Sequence, residues 1–135
     1  MHKICGLVLL ILLGNVFAAK AEEVFFSQEY ELCMEQAETT AAMNLCIVEE
    51  IKKQDVRLNA AYEKLIADLP GDQQQKLWQA QLIWIQFRNA YMDFLHEYDD
   101  SPTARIVSSY WYLHSTAEQA RQLEFLLSVN EEGDN

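Results

Sequence analysis

The side chains most able to do chemistry are few and far apart. Cys33 and Cys46 bracket the fourteen-residue stretch CMEQAETTAAMNLC, and the remaining cysteine, Cys5, lies near the start of the chain. A dithiol catalyst calls for C-x-x-C beside a strand, a spacing this pair does not have. Beyond His2, the two histidines His96 and His114 belong to no HExxH or CxxC ligand pattern. His96, Glu97, Asp99 and Asp100 are close enough in sequence to suggest a metal site. Clustered acids are common where charge is high, however, and a solvated helix end is the better reading. There is no glycine-rich phosphate loop and no G-x-S-x-G elbow. Paired carboxylates for glycoside cleavage need an apolar pocket to raise one pKa, and nothing in the spacing announces one. The expectation is a protein without metal, cofactor or catalytic centre.

The opening MHKICGLVLLILLGNVFAAKAEE sets Lys3 before an apolar run from Ile4 to Leu13, with small residues gathered from Ala18 to Ala21. That pattern is a secretory signal peptide. The run is shorter than the ~20 residues of a membrane-crossing helix. Cleavage after Ala21, favoured over Ala18, divides the chain into a signal peptide, residues 1–21, and one domain, residues 22–135. Cys5 stands at the beginning of the run, whereas a lipid-accepting cysteine belongs at its end. The exported chain then keeps Cys33 and Cys46, an even pair that reads as a disulfide in an oxidising periplasmic or extracellular compartment.

The 135 residues carry 10 basic and 21 acidic side chains, a net charge of −11. Loss of Lys3 and Lys20 with the signal peptide takes this to −13. Such a surface repels nucleic acid and anionic lipid and steers basic partners towards it. Membrane insertion after signal cleavage is not expected.

Four glycines and two prolines leave little room for the turns of an all-β protein. A short helix is predicted from about Gln28 to Gln36. Thr39 or Thr40 caps a long second helix on which Met43, Ile47, Ile51, Leu58, Tyr62, Leu65 and Leu69 recur at helical spacing. Pro70 and Gly71 end it. A third helix, from Asp72 to about Glu97, is apolar on more than one side: Leu77, Trp84, Phe87, Tyr91 and Phe94 form one stripe, Trp78, Leu82, Ile85 and Met92 another. That breadth predicts several neighbours and a place at the centre of the fold. Ser101 and Pro102 open a fourth helix whose buried face is Ile106, Tyr110, Leu113, Ala117, Ala120, Leu123 and Leu127. EEGDN reads as a frayed acidic tail. The fold class is all-α: a small, mostly antiparallel bundle of one short and three long helices with one disulfide.

In that frame Cys33–Cys46 fastens a helix too short to persist in water to the element carrying the core. Closing such a loop contributes about 3 kcal/mol on chain-entropy grounds. Arg88, beside Phe87 and one turn after Trp84, predicts a structural ion pair with Asp55 or Glu63 of the second helix; a ligand-binding role is the alternative.

Three segments together, TTAAMNLC, DVRLNAAYEKL and LWQAQLIWIQFRNA, resemble the LprI-type lysozyme-inhibitor family of exported bacterial proteins. The matching pieces are T-x-x-M-N-x-C on Thr40, Met43, Asn44 and Cys46, then L-N-x-x-Y on Leu58, Asn59 and Tyr62. The third is Q-x-x-W-x-x-F-R on Gln81, Trp84, Phe87 and Arg88, and TAEQARQLE from Thr116 is similar to the closing segment. Family members often carry a second cysteine pair; Tyr91 and Trp111 stand in those places here, and their rings would fill the gap by packing.

The resemblance implies a periplasmic or secreted protein that binds lysozyme, itself often basic, and protects the cell wall. Its matched residues read as fold determinants, so partner binding is assigned to the acidic loop of Glu97, Asp99 and Asp100. The alternative is an envelope binding or assembly module with a different protein partner, because a shared fold does not fix a shared activity.

Overall fold

The computed structural model describes residues 25–133, with side chains through Val129. The signal peptide and Cys5 lie outside the described residues, as do Asp134 and Asn135. Four helices follow one another: α1 (Gln28–Gln36), α2 (Thr40–Asp68), α3 (Gly71–Tyr98) and α4 (Pro102–Gly133). None of the described helices is long and apolar enough to cross a membrane.

Short polar side chains set the boundaries. Ser27 Oγ accepts from the Tyr30 amide, Thr39 Oγ1 from Ala42 and Ser101 Oγ from Ala104, each satisfying a first-turn N–H that has no helical partner. Leu69 and Pro70 leave the helical conformation, and α3 restarts at Gly71. The acidic tail departs from expectation, because α4 carries helix through Glu131, Glu132 and Gly133.

The three long helices run up, down and up, which makes α2 and α4 parallel. They form the core although α3 separates them in sequence. Towards their C-terminal ends Leu58, Ala61 and Leu65 meet Ala120, Leu123 and Leu127. Towards their N-terminal ends Cys46 and Ile47 meet Leu113 and the buried Tyr30 of α1, whose phenol is pushed up to about 12 by burial. Small residues explain the close approach: Ser108, Thr116, Ala117 and Ala120 are fully buried on α4. Tyr110, expected in that buried face, instead lies at its edge against Phe26 and His114.

A polar layer separates the two apolar clusters. Glu50, 1% exposed, accepts from the backbone N–H and hydroxyl of Ser27 and from Gln54 Nε2. A buried carboxylate is tolerable because three donors replace its water. Arg57 reaches across from α2 to grip both carboxylate oxygens of Glu124 on α4. The short helix is thus held twice, by Ser27 on Glu50 at its start and by Cys33–Cys46 near its end, where the Cα atoms are 5.8 Å apart.

Contrary to the expectation of a central place, α3 lies at the side of the α2–α4 pair. Its only buried side chains are Gln81 and Arg88, while Trp78, Ile83, Phe87, Phe94 and Tyr98 are exposed. Leu77 and Trp84 pack on the α2–α4 core. The rest of the attachment is polar and aromatic. Gln119 Nε2 donates to Gln81 Oε1 at 2.9 Å. The Arg88 guanidinium lies 4.7 Å from the Trp84 ring and 4.2 Å from the Tyr112 ring, donating to Thr116 Oγ1 at 2.9 Å and facing Asp55 at 3.5 Å. The Tyr112 phenol is raised by burial, with Arg88 opposing. Further along, the Tyr91 and Trp111 rings meet at 4.5 Å.

Reduction of Cys33–Cys46 is expected to lower the unfolding free energy by about 3 kcal/mol. The circular dichroism loss should not exceed the 9 residues of α1; a larger loss would mean that the bridge supports the core itself. For Arg88→Ala, urea denaturation should give a loss of about 3 kcal/mol, since stack and hydrogen bonds go together. Arg88→Lys should recover less than half, because the ammonium lacks the planar face. Asp55→Asn should cost under about 1 kcal/mol, its carboxylate being 42% exposed. A cost for Asp55→Asn equal to that for Arg88→Ala would place the attachment in the ion pair.

Candidate functional site

The residues singled out from the sequence separate into two groups. The first gathers inside the fold. Leu58 is in the core, Tyr62 and Trp84 pack against it, and Gln81 and Arg88 are buried between helices. Met43 and Asn44 are half-buried near the disulfide, with the Asn44 Oδ1 enclosed and lacking a donor. Asn59 is exposed and shares a shallow groove with Tyr62, Trp78 and Gln81. Phe87 also turns outward, against Tyr91 and Trp111.

The second group is the corner where α3 passes to α4. Glu97, Asp99 and Asp100 are all exposed there. Asp99 Oδ1 accepts from the Ser101 amide at 2.8 Å, so one of its oxygens organises the turn. Beneath the turn lies a groove of about 320 Å³ lined by Leu95, Tyr98, Asp99, Thr103, Ala104 and Val107. His96 is exposed on the same turn of helix. Among the described residues no three His, Cys, Asp or Glu side chains converge to hold a metal ion.

An aromatic row runs from this corner back along α3. Phe87, Tyr91, Phe94 and Tyr98 are spaced four, three and four apart, which keeps them on one helix face. Successive ring centroids are 5.9, 5.8 and 5.8 Å apart. Phe94 is 52% and Tyr98 77% exposed, an unusual outlay of aromatic surface to water. On a helical projection Asp93 and Glu97 flank the row on the side away from Arg88.

The corner offers apolar area, phenol hydroxyls and carboxylates on a shallow surface, an arrangement fitted to holding another molecule. Two features escaped the sequence reading. Phe87, Tyr91 and Phe94 belong to a stripe expected at the centre of the fold and Tyr98 to the break after it, although a helix apolar on two sides can equally leave one uncovered. Glu50 was passed over, although it falls in register with Ile47, Gln54 and Leu58, and an acid on a core-facing stripe is a signal of buried polar structure.

Curated proteins and solved structures yield no match to the chain. A family model, that of the lysozyme inhibitor LprI, matches residues 33–123, from Cys33 through the α4 side of the core at Leu123. That span takes in the disulfide, the Arg88 clasp and the acidic corner, and by it this chain is a member of the LprI family.

Proposed function

We propose that this chain is exported to the periplasm or beyond, and there binds and inhibits lysozyme, protecting the cell wall as a binding protein and not as an enzyme. The observation that carries the reading is the family match across residues 33–123. Three physical features support it. A net charge of −11 steers basic proteins towards the chain. Glu97, Asp99 and Asp100 stand exposed, where carboxylates can meet the basic groups bordering a sugar cleft. Cys33–Cys46 suits an oxidising compartment, in keeping with residues 1–21 acting as a signal peptide.

A second reading has its own observation. The family-motif residues Leu58, Gln81 and Arg88 are buried, so the likeness to the family lies more in what builds the fold than in a surface. An envelope binding or assembly module with a non-lysozyme protein partner would preserve the same residues.

The chain, exported and purified, should slow lysozyme clearing of a bacterial suspension at equimolar concentration. Inhibition should weaken as salt rises from 0.05 to 0.5 M, on the order of a three-fold drop in Debye length. Undiminished clearing at a large molar excess would pass the case to the non-lysozyme partner, and turnover of peptidoglycan fragments would make the chain an enzyme.

A further inference from the structure

Among the described residues, the aromatic face of α3 is met by Trp111 at one end and left largely exposed at Phe94 and Tyr98. The row Phe87, Tyr91, Phe94 and Tyr98 is continued at its far end by the exposed Ile83, giving an apolar strip about 22 Å long at 1.5 Å per residue. Its rings lean on one another, and Tyr91 is braced by Trp111 of α4. Side chains already held in place lose little freedom when a partner covers them, which favours binding.

The charge around the strip selects the partner. From Asn89 to Ala104 there are four carboxylates, on Asp93, Glu97, Asp99 and Asp100, and no lysine or arginine; Arg105 is the first cation beyond. A second copy of the chain docked here about a two-fold axis would set these carboxylates against their own likeness. A basic surface would neutralise them, and its arginines and lysines could lie on the exposed ring faces of Phe94 and Tyr98.

We infer that the aromatic face of α3, with the groove at its α4 end, is the surface by which this chain docks a basic protein, and that the partner is lysozyme. The inference rests on the function proposed above and adds where contact is made. The rings supply the buried anchors of the interface, and the carboxylates supply the encounter rate and its sensitivity to salt.

The test is titration calorimetry of the exported chain against a basic lysozyme, with three paired substitutions. Phe94→Ser with Tyr98→Ser should weaken binding at least ten-fold while leaving the thermal midpoint of this already exposed pair nearly unchanged. Glu97→Lys with Asp100→Lys should weaken it several-fold and flatten its salt dependence. Leu45→Ser with Val56→Ser, on the opposite, exposed side of α2, should bind within two-fold of the unmodified chain. Tight binding by the unmodified chain that the first two pairs leave intact would overturn the docking face and spare the function. A dimer in sedimentation velocity that Phe94→Ser with Tyr98→Ser dissolves would give the face to a second copy. Absence of any binding by the unmodified chain overturns function and face together, a pattern distinct from the other two.

Discussion

The position of α3 depends on one buried cation. Arg88 lies between the faces of Trp84 and Tyr112, donates to Thr116 and faces Asp55, so a single side chain touches all three long helices. A guanidinium can do this because it is flat, weakly hydrated for an ion, and carries its donors in its plane while its faces remain free to stack. An apolar side chain of similar volume could fill the same space, but it would leave Thr116 and Asp55 without their donor and would set no fixed angle between the helices. The consequence reaches the surface: with α3 attached along a narrow seam of Leu77, Gln81, Trp84 and Arg88, Trp78, Ile83, Phe87, Phe94 and Tyr98 are left exposed to water.

The rest of the molecule secures what that seam cannot. The parallel pair α2 and α4 holds the hydrophobic core, and the small residues along α4 allow its close packing. The α1 helix, too short to be stable alone, is pinned at both ends: Ser27 on the buried Glu50, and the disulfide. Between α3 and α4, Tyr91 and Trp111 meet ring against ring. A non-covalent contact of this kind contributes on the order of 1 kcal/mol beyond the area it buries, less than a disulfide, but it adds aromatic surface where a bridge would add none.

Stability and the proposed docking face draw on neighbouring residues of one helix. Arg88 and Trp84 look inward; Phe87, Tyr91 and Phe94 look outward a fraction of a turn away. Any change that rotates or shifts α3 moves the aromatic row with it, so the geometry of the proposed docking face is set by the buried stack rather than by the loop at its end. The acidic corner, by contrast, is fixed locally through Asp99 and Ser101 and needs no help from the core.

Helix positions, caps, breaks and the disulfide were legible in the sequence because each is decided over a few residues: Ser27, Thr39 and Ser101 beside their own first turns, Pro70 by its ring, Cys33 and Cys46 by their closeness along the chain. Asp55 as the acid facing Arg88 was among the named candidates, and helical spacing allowed both it and Glu63. Which helix occupies the centre was not legible. Hydrophobic periodicity reports how much apolar surface a helix has, not whether a neighbour covers it, and α3 has more than its neighbours can cover. The tertiary structure decided that α2 should pack with α4 across the chain, that Glu50 should lie buried under Ser27, and that an aromatic row should remain in water. These outcomes depend on which distant surfaces fit together, and fit between helices is a property of shape that no single stretch of residues contains.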